Sequence, residues 1–102
     1  MPPVAFAAQV DASRVPDGAP LVLRARRDGD LYSPPGLRSK RRKLKQWLQE
    51  SGIHPCFRDK LLLVACENEV VWIPGAGVSG LYRAETGSTH VLELGLEWTK
   101  NL

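Results

Sequence analysis

Cysteine is scarce in this chain. Of 102 residues only Cys56 and Cys66 are cysteines, too few for a disulfide scaffold, and neither falls in a CxxC or other metal-ligand spacing. That usage fits a reducing cytoplasm. Long apolar runs are missing too: no stretch approaches the roughly 20 residues a membrane-spanning helix needs, so no membrane partner is expected. The N-terminal Met1-Pro2-Pro3-Val4-Ala5-Phe6-Ala7-Ala8 is apolar but follows no basic region, which makes it a poor signal peptide. It reads as an edge strand, or as the place where a longer parent chain was cut. There is no internal repeat and no low-complexity tract. The apolar share of 43% is ordinary for a globular protein and argues against a disordered tail. The length suits one domain with a modest core.

Acidic residues are absent from one place in particular. Residues 38–45 hold six basic side chains, Arg38, Lys40, Arg41, Arg42, Lys43 and Lys45, and no acid. The net charge of +3 hides this asymmetry. Residues 24–60 carry eleven Lys and Arg against four acids, a local +7, whereas the rest carries three against seven, a local −4. A basic field of this size on a folded surface points to a polyanion, with nucleic acid the first candidate. Leu44, Trp47 and Leu48 stand at i, i+3 and i+4, one side of a helix. Ser39 is the expected N-cap and Gly52 the expected C′ glycine of that helix. Arg42, Lys43 and Lys45 then lie off its apolar stripe, free to meet phosphates. Basic residues in a first helical turn oppose the helix dipole by up to about 1 kcal/mol each at exposed sites, which favours a binding role for them. Arg24, Arg26 and Arg27 form a second basic group, either a continuation of the polyanion surface or a sheet face balanced by Asp28 and Asp30.

The remaining pattern is mostly extended. Residues 4–10 and 21–26 are strand candidates, with Leu21, Leu23 and Ala25 sharing one face of the second. Asp28-Gly29 is a turn signal before a short strand at Leu31-Tyr32. Residues 55–60 read as one helical turn opened by proline. Residues 61–66 and 70–73 are buried-strand candidates joined through Glu67-Asn68-Glu69, and Pro74-Gly75-Ala76-Gly77 ends the pair. Residues 78–83 suggest a further strand, followed by a Glu85-Thr86-Gly87-Ser88 turn. Across residues 89–98, Leu92, Leu94, Leu96 and Trp98 line one face, with Glu93 and Glu97 on the other. The fold class is α+β: one principal helix packed on layers of antiparallel sheet.

Catalytic and metal constellations are not evident. His54 and Cys56 flank Pro55, but proline does not aim them at each other and no third group is placed beside them. His90 reads as structural. Gly75 and Gly77 make only a G-x-G fragment with no helix after it. Trp47, Trp72 and Trp98 fall on apolar faces, so core packing explains them better than base stacking.

The order of these features resembles a known family. A strand ending in arginines leads to Gly29-Asp30 and a Gly36 loop. Then come Arg42-Lys43-Leu44-Lys45, Gly52-Ile53-His54-Pro55, Arg58-Asp59 before an apolar strand, and Val70-Val71-Trp72-Ile73-Pro74-Gly75. Together they resemble the C-terminal domain of bacterial tRNA(Ile)-lysidine synthetase, over about residues 20–83. The resemblance implies a layered α+β fold, also found in the phenylalanyl-tRNA synthetase β subunit. Residues 20–102 are then the lysidine-synthetase-like domain, with residues 1–19 an N-terminal edge strand and loop on a single domain overall. The parent enzyme uses ATP to attach lysine to the wobble cytidine of a minor isoleucine tRNA. Its chemistry resides in an N-terminal domain with a Ser-Gly-Gly-x-Asp-Ser phosphate loop, which has no counterpart here. The resemblance therefore implies no catalytic residue, cofactor or metal on this chain. Its partners are tRNA(Ile), gripped toward the acceptor stem, and the parent's catalytic domain. The matched basic positions are Arg26, Arg42, Lys43, Lys45 and Arg58. Departures are Leu31, where the family commonly has arginine, Leu62, where it often has proline, and Cys56, near which it has an aromatic. Leu31 removes one phosphate contact. Two other readings of the same residues are a basic docking module for an acidic protein domain and a small enzyme using His54 or Cys56.

Overall fold

The computed structural model describes residues 4–16, 19–34, 41–52 and 60–98. Its elements are β1 (Val4–Asp11), a 3-10 turn (Ala12–Arg14), β2 (Val22–Ala25), β3 (Leu31–Tyr32), β4 (Arg42–Lys43), α1 (Leu44–Glu50), β5 (Leu62–Cys66), β6 (Glu69–Ile73), β7 (Gly77–Val78) and β8 (Val91–Trp98). Six strands form the central sheet in the order β2-β5-β6-β3-β4, with β7 also paired to β6. The β3–β6 pair is parallel and the other pairs are antiparallel. β1 and β8 pair antiparallel along their whole length, Val4 opposite Trp98 and Asp11 opposite Val91. The fold is the expected α+β class. None of the described helices is long and apolar enough to cross a membrane.

Two apolar clusters make the layers. On one face of the central sheet, Leu44 and Leu48 of α1 pack with Tyr32, Leu63, Ala65, Val70 and Ile73. On the other, Val64, Cys66, Val71 and Trp72 meet Val10, Tyr82 and the inward side chains of the β1–β8 pair, Phe6, Ala8, Leu94 and Leu96. Strand β5 serves both faces by ordinary alternation: Leu63 and Ala65 to the helix, Val64 and Cys66 to the second sheet. Strand β6 serves both by a bulge. Val64 faces Trp72 and Ala65 faces Val70, so Val71 is the extra residue, and Val71 and Trp72 both turn to the second cluster. This explains why residues 70–73 read as a continuous apolar run.

The β5–β6 turn falls at Glu67-Asn68, with Glu67 in the left-handed region at φ 55°. One expectation for strands is revised. Residues 78–83 do not form a strand beyond Val78: Ser79 accepts backbone N–H groups from Tyr82 and Arg83, and its hydroxyl accepts that of Leu81 at 3.3 Å. This local turn chemistry competes with the ladder, and only Arg83 rejoins it, opposite Val10. Leu23 is 48% exposed and Val22 41%, because β2 is an edge strand that contacts the sheet through β5 alone.

Both tyrosines are structural. Tyr32 is fully buried, donates to the Gly77 carbonyl at 3.0 Å and packs edge-on against Trp47 with ring centroids 4.9 Å apart. Tyr82 donates to the Glu69 carboxylate. Burial pushes the Tyr32 phenol from 10.0 up to about 12; burial first, and then the bond to Glu69, raises Tyr82 as well. The folded state thus favours the neutral phenols. Their contribution to stability is complete below about pH 10 and is lost as pH rises toward 12. Titrated by absorbance at 295 nm, the native chain is expected to show no phenolate step near pH 10. A half-amplitude step there, with the fold intact by circular dichroism, would contradict the burial of one ring.

Candidate nucleic-acid interface

The basic segment is organised by Asp30. Gly29, at φ +88°, turns the chain so that the Asp30 side chain points inward. Arg24 meets it with both terminal nitrogens, at 2.8 and 2.7 Å. The Arg24 side chain is 8% exposed and that of Asp30 2%. The Arg27 N–H adds a third bond to the carboxylate at 2.7 Å, and Arg24 also donates to the Glu67 carbonyl at 2.9 Å. The Asp30 carbonyl in turn accepts the Leu44 N–H at 2.9 Å. One residue therefore ties the β2–β3 turn, the β5–β6 turn and the start of α1.

This placement corrects the expected helix. Arg42 and Lys43 are not helical; they pair with Tyr32 and Leu31 as β4. The N-cap is Lys43, with no side-chain cap bond, and not Ser39. Pairing with β3 keeps residues 42–43 extended, and the Asp30 carbonyl fixes the first helical N–H at Leu44. The C-terminus is as expected: Ser51 caps, and Gly52 follows at φ +75°, a left-handed conformation that suits glycine. Leu44 and Leu48 are buried with Trp47 packed beside them, so the apolar stripe is also as expected.

The cations divide by their partners. Arg24 is buried against Asp30 and lies off the exposed basic surface. Arg41 Nε contacts Glu69 at 2.6 Å, and Arg42 pairs with Glu50 eight residues along the chain, a partner the i,i+4 rule does not look for. Lys43 and Lys45 are exposed and form no ion pair among the described residues. They stand on the shared rim of two depressions. One, of about 230 Å³, is lined by Arg26, Arg27, the Asp28-Gly29-Asp30 turn, Lys43 and Lys45. The other, of about 440 Å³, is lined by Arg41, Arg42, Lys43, Lys45, Gln46 and Gln49. Of the sequence-derived site residues, Arg26, Arg42, Lys43 and Lys45 are brought together here. Arg58 lies outside the described residues, as do Arg38, Lys40, His54 and Cys56. Arg27, read from the sequence as part of the second basic group but not among the matched positions, joins the face beside the Asp28-Gly29 turn, which folds back onto Lys43. The Cys66 thiol is raised in pKa chiefly by burial and lies in the core. Among the described residues no group of three or more His, Cys, Asp or Glu side chains is placed to hold a metal.

A small three-layer α+β domain with one basic edge is the class this geometry defines. The chain belongs to the TilS substrate C-terminal domain family, whose model matches residues 21–98. It is 35% identical over 83 residues to a tRNA(Ile)-lysidine synthase of Nitrosomonas europaea, covering 81% of this chain and 18% of that protein. A tRNA(Ile)-lysidine synthase of Caldanaerobacter subterraneus is 35% identical over 80 residues, 78% of this chain and 16% of the relative. The chain thus spans less than a fifth of the length of these relatives. A crystal structure of a TILS C-terminal domain superposes with a TM-score of 0.68 at 26% identity, covering 95% of this chain and 72% of that one.

Removing the Asp30 carboxylate leaves Arg24 buried without its counter-ion. Asp30→Ala is expected to lower the unfolding free energy by about 3 kcal/mol, read as a fall in the urea midpoint. The exposed neighbour change Asp28→Ala should stay within about 0.5 kcal/mol. Equal effects of the two would show that the buried pair does not organise the segment.

Proposed function

We propose that this domain docks tRNA for a tRNA(Ile)-lysidine synthetase, the ATP-dependent ligase that attaches lysine to the wobble cytidine of a minor isoleucine tRNA. On this reading the ligase chemistry and its ATP belong to the parent's catalytic domain, a second partner, in the cytoplasm. Residues 20–102 form the docking body, and residues 1–19 supply the strand and loop laid against it. The single observation that carries the reading is the Lys43–Lys45 rim. Two exposed ammonium groups, without carboxylate partners among the described residues, stand between two depressions that also collect Arg26, Arg27, Arg41 and Arg42. Membership of the family supports tRNA as the polyanion.

The mechanism is electrostatic docking with recognition of shape. Lys43 and Lys45 displace condensed counterions from phosphates on the acceptor-stem side, while Arg26, Arg42 and Arg58 extend the contact. Arg42 is not disqualified by Glu50, since an exposed ion pair of this kind is worth about 0–1 kcal/mol and leaves most of its five N–H donors free. A-form stems are read chiefly through backbone and minor groove, which suits a face whose described lining is mainly cations and amides with no aromatic side chain. The catalytic role of the chain is indirect: it positions the tRNA.

Titration of the 102-residue chain with tRNA by fluorescence anisotropy tests this. Affinity should fall steeply with salt, and Lys43→Ala/Lys45→Ala should reduce the slope of log K against log salt by about 1.5–2. An unchanged slope in the double variant, or affinity indifferent to salt, would overturn the reading in favour of a docking face for an acidic protein domain.

A further inference from the structure

Gln46 and Gln49 stand at i and i+3 on α1, one turn apart and both exposed. Among the described residues neither side-chain amide has a hydrogen-bond partner. Both line the larger depression with Arg41, Arg42, Lys43 and Lys45, so an RNA strand whose phosphates rest on the lysines passes over the two amides.

The cations of this depression bind phosphate oxygens and carry no information about the sugar. Arg41 and Arg42 are each steadied by a carboxylate, from Glu69 and Glu50, which fixes their direction. A ribose 2′-hydroxyl is both donor and acceptor, and in an A-form helix it is displayed along the shallow minor groove beside the phosphates. Lysine and arginine only donate; a primary amide offers an acceptor oxygen and two N–H donors. Gln46 and Gln49 are therefore the groups of this face able to satisfy the hydroxyl in both directions. We infer that the Gln46/Gln49 pair reads ribose 2′-hydroxyls, so that this face selects RNA by its sugar as well as by its charge. The inference rests on the docking reading above and names what that face discriminates.

The test holds shape and charge constant. Two hairpin stems of one sequence, one all-ribose and one 2′-fluoro, both A-form, are titrated with the chain at about 50 mM salt, where phosphate contacts are strong. Two ordinary net hydrogen bonds give the ribose stem a preference of roughly tenfold or more. Gln46→Ala/Gln49→Ala should bring the two stems within about twofold of each other while keeping the salt slope; alanine favours the helix, so the fold is retained. Equal binding of the two stems by the unsubstituted chain overturns this inference and leaves phosphate docking standing, as does a double variant that keeps the ribose preference. No binding of either stem overturns the docking reading and this inference with it.

Discussion

The buried ion pair between Asp30 and Arg24 is the constraint on which the basic edge depends. A carboxylate taken out of water needs more than one partner to offset its desolvation. Asp30 has the two nitrogens of Arg24 and the Arg27 N–H. The same residue's carbonyl receives Leu44, so the charge that must be satisfied and the helix that must be started meet at one position. Gly29 makes this possible by taking φ +88°. Its role is conformational, since a Cβ there would meet open space but a side chain would strain the backbone.

Charge on this surface is sorted by whether a carboxylate answers it. Arg24, Arg41 and Arg42 are answered by Asp30, Glu69 and Glu50, and these pairs bind strands and helix to one another. Glu69 also receives the Tyr82 hydroxyl, which links the Arg41 end of β4 to the second apolar cluster. Lys43 and Lys45 project from a segment held at both sides by such pairs. A rigid support of this kind matters more to an exposed lysine than to most groups. The side chain is flexible, so the position of its stem is what the fold can fix.

Much of this was legible in the sequence because apolar periodicity survives almost any context. Leu44, Trp47 and Leu48, and Leu94 with Leu96 on β8, were readable as one-sided patterns, and residues 61–66 as a buried strand. The start of the helix was not. Ser39 offered a local cap, but the boundary is set by pairing of residues 42–43 with Leu31-Tyr32, a contact between segments that no local propensity records. The partners of Arg41 and Arg42 were hidden for the same reason, lying 28 and eight positions away. The bulge at Val71 was visible only as an apolar run without period. Arg26, Lys43 and Lys45 were legible as charge, yet their meeting around one turn came from the Asp30 hub.

The helix itself sets burial on its inward side against charge at its N-terminal end. A seven-residue α-helix is too short to persist alone, and here its N-cap is Lys43, with Lys45 in the first turn and no acid there. Each such lysine opposes the dipole by about 0.3–1 kcal/mol. Leu44 and Leu48, both 1% exposed, each contribute about 1.5–3 kcal/mol by burial, and the Trp47–Tyr32 contact adds to them. Burial therefore outweighs the dipole penalty severalfold. Because the inward side supplies the stability, residues 45, 46 and 49 on the outward side are released from it. Those are the positions where this chain carries a lysine and two glutamines in place of the acid-first pattern that would stabilise a helix of this length.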